Sequence, residues 1–142
     1  MKQVIFALIL TMFWAMPTSA DVHNIDVVKQ HNQGWKFKRL RSFITTDNET
    51  KVTGRLNSYN RGYLPSGHVD IAVYMPSGEK IAETTSYYFP KILTQKTRNK
   101  GGVRFSAVFD QTFPLEAVIK VAFHRDIFVD RNRATHSETL AK

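Results

Sequence analysis

The sequence predicts an all-β chain: an antiparallel β-sandwich of about seven short strands behind a cleaved leader. Three observations lead there. Apolar and polar residues alternate with a period of two in segment after segment from Lys51 to His124. Proline and glycine punctuate those segments, at Pro65-Ser66-Gly67, Pro76-Ser77-Gly78 and Phe113-Pro114. No segment carries a convincing amphipathic helix; Trp35, Arg39 and Phe43 fit helical spacing but with weak caps.

The chain opens with Met1-Lys2-Gln3, a short positive start, followed by an uncharged run over residues 4–16. Small residues close it, with Thr18 and Ala20 at the −3 and −1 positions of a cleavage site. A membrane span needs about 20 apolar residues, so this run is expected to be a secretory signal peptide. The expected layout is therefore a signal peptide over 1–20, an extended leader over 21–34, a β-sandwich domain over 35–130 and a flexible tail over 131–142. The mature chain would be periplasmic or secreted, with no transmembrane segment.

The strands follow from their faces. Trp35 and Phe37 alternate with Lys36 and Lys38, as suits an edge strand whose lysines discourage pairing with another chain. Val52, Gly54 and Leu56 share one face, with Thr53 and Arg55 on the other. Val69, Ile71, Val73 and Met75 point one way, while His68, Asp70, Ala72 and Tyr74 point the other. After a turn at residues 76–79, residues 80–88 return as the partner of a hairpin. Residues 92–102 read as a basic loop with a flexible double glycine. Val103, Phe105, Ala107 and Phe109 then face inward, as do Ile119, Val121 and Phe123, and residues 127–129 suggest a short last strand.

The strand at residues 52–57 (VTGRLN), the hairpin around Pro76-Ser77-Gly78, then Phe105 and Ile119-Lys120-Val121, resemble the rhythm of bacterial extracytoplasmic immunoglobulin-like modules of the FxLYD type. The resemblance spans residues 51–124. It implies an immunoglobulin-like sandwich and an accessory or interaction role.

Composition narrows the function classes. No cysteine is present, so disulfides, thiolate metal sites and thiol nucleophiles are excluded. The formal charge is +8, and loss of the leader removes only Lys2, leaving +7. Export makes nucleic acid a poor partner. An acidic envelope protein or another anionic surface fits better, against the competing reading that the charge serves solubility alone.

Two candidate metal sites stand out. If cleavage follows Ala20, the new amino terminus is Asp21-Val22-His23, which resembles the amino-terminal copper and nickel motif of albumins. A terminal amine, two amide nitrogens and an imidazole suit square-planar Cu(II) or Ni(II). The second set needs the fold. If residues 68–75 and 117–124 pair antiparallel, His68, Asp70 and His124 share the outer face at one end, with Asp126 just beyond. Two imidazoles and a carboxylate are ligands for Zn(II) or Cu(II). Alternation alone would also place these residues on a solvated face.

Basic residues gather in two groups, Lys36, Lys38, Arg39 and Arg41, then Lys91, Lys96, Arg98, Lys100 and Arg104. Lys96, Arg98, Lys100 and Arg104 are the expected partner-binding positions, with Tyr59, Tyr63, Tyr87 and Tyr88 nearby in sequence. No motif reads as catalytic. The expected function is a secreted, non-catalytic binding or accessory protein of the cell envelope. The alternative is copper or nickel binding through Asp21-Val22-His23.

Overall fold

The computed structural model describes residues 21–28, 34–59, 62–63 and 66–125. In chain order these form β1 (Asn24–Val27), β2 (Trp35–Ile44), β3 (Thr50–Ser58), β4 (Gly62–Tyr63), β5 (Gly67–Tyr74), β6 (Lys80–Ser86), β7 (Ile92–Leu93), α1 (Gln95–Asn99), β8 (Val103–Phe109) and β9 (Val118–Arg125). One sheet has the order β1-β9-β5-β6 and a second the order β2-β3-β8, while β4 pairs β7. The signal peptide, His31, Asp126, the strand expected at 127–129 and the tail with His136 lie outside the described residues.

Alternation builds the core. Val52, Leu56, Val103 and Phe105 of the smaller sheet face Val69, Ile71, Ile119, Val121 and Phe123 of the larger one, all buried. Burying each such side chain contributes about 1.5–3 kcal/mol. An aromatic contact ties the layers together, with the Trp35 and Phe123 ring centroids 5.4 Å apart, and within the smaller sheet Phe37 meets Phe105 edge-on at 5.7 Å. The all-β sandwich expected from the pattern is the one that forms.

Three local features differ from expectation. The sandwich is not wholly antiparallel, because β1 runs parallel to β9, from Asn24 opposite Val118 to Val27 opposite Val121. These two strands are far apart in sequence, so no hairpin dictates their relative direction. The return strand β6 ends at Ser86 rather than Tyr88. Residues beyond it cross to the other sheet, where the Phe89 N–H donates to the Arg104 carbonyl and the Arg104 N–H to the Phe89 carbonyl, both at 2.9 Å.

The third difference is the basic loop, which holds β7 and the short helix α1. The Thr94 hydroxyl caps that helix by accepting from the Thr97 N–H at 3.1 Å. Nor is its double glycine a flexible element. Gly101 and Gly102 are buried with φ of 100° and 110°. A Cβ on Gly102 would stand 2.2 Å from the Leu56 carbonyl oxygen, so only glycine lets the loop pack against β3.

Candidate functional site

The outer face of the β2-β3-β8 sheet concentrates positive charge. Register places Lys38 opposite Arg55 and Arg55 opposite Arg104, one cation on each of three adjacent strands. The next outward row is Arg41, Thr53 and Ser106. A register break between Lys38 and Arg41, with Arg39 at φ 53°, marks a bulge in β2. It brings Arg39 to the same face.

All of these residues except Lys38 line an open groove of about 760 Å³. Its cationic lining is Arg39, Arg41, Lys51, Arg55 and Arg104, and among the described residues no acidic one lines it. The Arg55 fork is held by a hydrogen bond from Nη1 to the Gly102 carbonyl at 3.0 Å. Desolvation, and then the charges of Arg104 and Arg39, push the Arg55 guanidinium below its ordinary pKa. Like charges held this close favour an anion between them.

Tyr87 and Phe89 also line the groove, and are 72% and 78% exposed. Both sit on the crossover after β6. Ser86 fixes that crossover by donating its hydroxyl to the Ser106 carbonyl at 2.7 Å and accepting from the Ser106 N–H at 3.2 Å. Tyr88, between them, turns into the core and packs on Phe123 at 5.9 Å. Tyr59 lies elsewhere on the surface, beneath the Lys36 ammonium at 4.5 Å from its ring.

Of the four basic residues expected to bind a partner, Arg104 alone lines the groove. Lys96 and Arg98 sit on α1, and Lys100 follows it. Arg39 and Arg41, from the other basic group, join Arg104 instead. The sequence singles out neither Lys51 nor Arg55 for a role, and Tyr87-Tyr88-Phe89 reads from it as core and hairpin packing, whereas only Tyr88 of the three is buried. Alternation already placed Arg55 on the outer face; strand order, which sequence does not state, made it the centre of the row.

On the opposite sheet, β5 and β9 pair antiparallel with His68 directly facing His124 and Asp70 facing Ala122. The two imidazole rings stack at 4.9 Å, within 5° of parallel. Asp70 Oδ1 lies 3.1 Å from His68 Nε2, and Oδ2 lies 3.5 Å from His124 Nδ1. The Asp70 side chain is 1% exposed, against 13% for His68 and 19% for His124. Tyr87 meets the His68 ring edge-on at 6.2 Å and so stands between this cluster and the groove.

At the other candidate site, the donor atoms are engaged within the fold. The Val22 N–H donates to the Ser42 carbonyl at 3.0 Å, and the His23 N–H to Ser42 Oγ at 2.9 Å. The His23 ring is buried, with Nε2 3.2 Å from the Phe113 carbonyl oxygen and Nδ1 3.4 Å from Ser42 Oγ. Wrapping Asp21-Val22-His23 around a square-planar ion requires deprotonating both amides, and so breaking both of these bonds.

No protein-family model, curated protein or solved structure matches the chain.

Proposed function

We propose that this chain is an exported, non-catalytic binding module of the cell envelope, and that the cationic groove takes an acidic segment of a partner protein. The observation that carries this reading is the lining itself: five cations, four of them arginine, with no carboxylate among them. Arginine presents a planar fork that matches a carboxylate with two parallel hydrogen bonds, which lysine cannot do. Exposed Tyr87 and Phe89 offer apolar anchors beside those forks, and aromatic residues with arginine are the side chains enriched at protein interfaces.

Export is read from the amino terminus. The charged start, apolar run and small-residue exit over residues 1–20 support export. No sequence motif reads as catalytic, and the binding reading rests on that and on the groove's cationic lining.

Fluorescence anisotropy with a labelled synthetic peptide of alternating glutamate and tyrosine tests this reading on the full chain. The parent binds with an affinity that falls as salt rises, and the Arg55→Glu/Arg104→Glu double variant loses about tenfold or more. Equal binding by parent and variant overturns the proposal. So does binding to phosphatidylglycerol vesicles in preference to the peptide.

A further inference from the structure

We propose that His68, Asp70 and His124 form a binding site for one divalent transition-metal ion of the Zn(II)/Cu(II) class. The site is separate from the groove and does not depend on its reading. Strand geometry assembles it. His68 and Asp70 are two residues apart on β5 and therefore share a face, and the register sets His124 of β9 directly across from His68. The close approach of the two strands at that end needs Gly67, where a Cβ would lie 2.4 Å from the His124 carbonyl oxygen.

Distance and chemistry agree. Ligands held about 2.0–2.1 Å from a tetrahedral ion stand about 3.3 Å from one another. The carboxylate–imidazole separations are of that order, 3.1 Å from Oδ1 to His68 and 3.5 Å from Oδ2 to His124, and one donor atom from each of the three residues lies within 4.8 Å of the others. The two rings are stacked rather than convergent, so at least one imidazole must turn about its side-chain bonds to bring its in-plane lone pair onto an ion shared by all three residues. Two imidazole nitrogens and one carboxylate select a borderline transition ion; Ca(II) and Mg(II) prefer oxygen ligands throughout.

Burial sets the order of the site. Asp70 forms its floor, while the partly exposed His68 and His124 form its mouth. A divalent ion would neutralise the buried carboxylate, and three protein ligands leave a fourth position for water or a ligand. Tyr87 against His68 supplies part of the apolar surround that orients a metal-binding imidazole. The competing reading is a metal-free Asp–His pair of purely structural use, and the experiment separates the two.

Zn(II) is titrated into isotope-labelled full chain and followed by the imidazole resonances. One equivalent is expected to shift the His68 and His124 signals together and to raise Tm, with Ca(II) at equal concentration moving neither. Asp70→Asn is expected to weaken Zn(II) by about tenfold or more. Should that variant fail to fold, the parent spectrum decides. A titration that leaves His68 and His124 in place, or that moves only His23, His31 or His136, overturns the site. So does unchanged affinity in folded Asp70→Asn.

Discussion

His68 and His124 are register partners on β5 and β9, their rings stacked 4.9 Å apart, each beside one oxygen of the buried Asp70. A carboxylate that is 1% exposed needs polar neighbours, and the two imidazoles are among them. The same His68 touches Tyr87, which lines the arginine groove of the other sheet. Two unlike binding chemistries thus meet at one edge of the sandwich.

Replacing Asp70 removes what the two imidazoles share. Asp70→Ala is expected to destabilise the metal-free chain by about 1–3 kcal/mol, the usual cost of stripping a buried polar partner. Urea unfolding measures it. An unchanged midpoint would show that the carboxylate contributes nothing to the fold.

Gly67→Val places a side chain against the backbone of β9, where there is no room for it. The expected loss is at least about 1–3 kcal/mol, read from Tm, because a backbone carbonyl cannot rotate away as a side chain can. Zinc-induced shifts at His68 and His124 should weaken as well, since the variant spreads the strands that align them.

The core separates from the surface in a simple comparison. Ile71 is fully buried between the sheets, so Ile71→Ala is expected to cost about 2–5 kcal/mol. Leu115 is 72% exposed, and Leu115→Ala should stay within about 0.5 kcal/mol of the parent. Calorimetric unfolding of both variants checks the assignment of inner and outer residues.

The arginine row opposes folding while favouring anions. Arg104→Gln relieves repulsion with Arg55 and is expected to raise Tm at low salt, with the difference fading as salt screens the charges. The same change should weaken acidic-peptide binding. Lys96→Gln and Lys100→Gln, exposed and outside the groove, should leave that binding nearly unchanged.

Tyr87→Ala tests the link between the two sites. The residue is largely exposed, so stability should change by no more than about 0.5 kcal/mol. Peptide affinity should fall through the lost anchor, and zinc affinity through the freed His68 ring. A variant that changes neither would leave Tyr87 without a role at either site.

Much of the fold was legible because a strand with one buried face must alternate, and alternation survives in sequence. It placed Val69, Ile71 and Val73 inward, His68 and Asp70 outward, and Val103, Phe105 and Ala107 in the core. The pairing that sets His68 beside His124 follows from an immunoglobulin-like strand order and not from alternation. Less local features were not legible. The parallel β1–β9 pairing, the crossover carrying Phe89 to Arg104 and the packed Gly101-Gly102 turn each depend on a distant backbone segment. No residue type announces such a neighbour.

The sequence by itself determined that the described body is a β-sandwich and which residues of each main strand share a face, because side-chain polarity repeats with the pleat. Only the tertiary structure decided which outer faces stay wet and which residues meet, for Asp70, Ala72 and Ala122 are buried on the outer side of β5 and β9. Strand order gathered Arg39, Arg41, Arg55 and Arg104 from three strands into one groove, and left Lys96 and Lys100 outside it. It also buried His23 against Ser42 and Phe113. The physical reason is that periodicity is a property of one strand, whereas a site is a property of the register between strands.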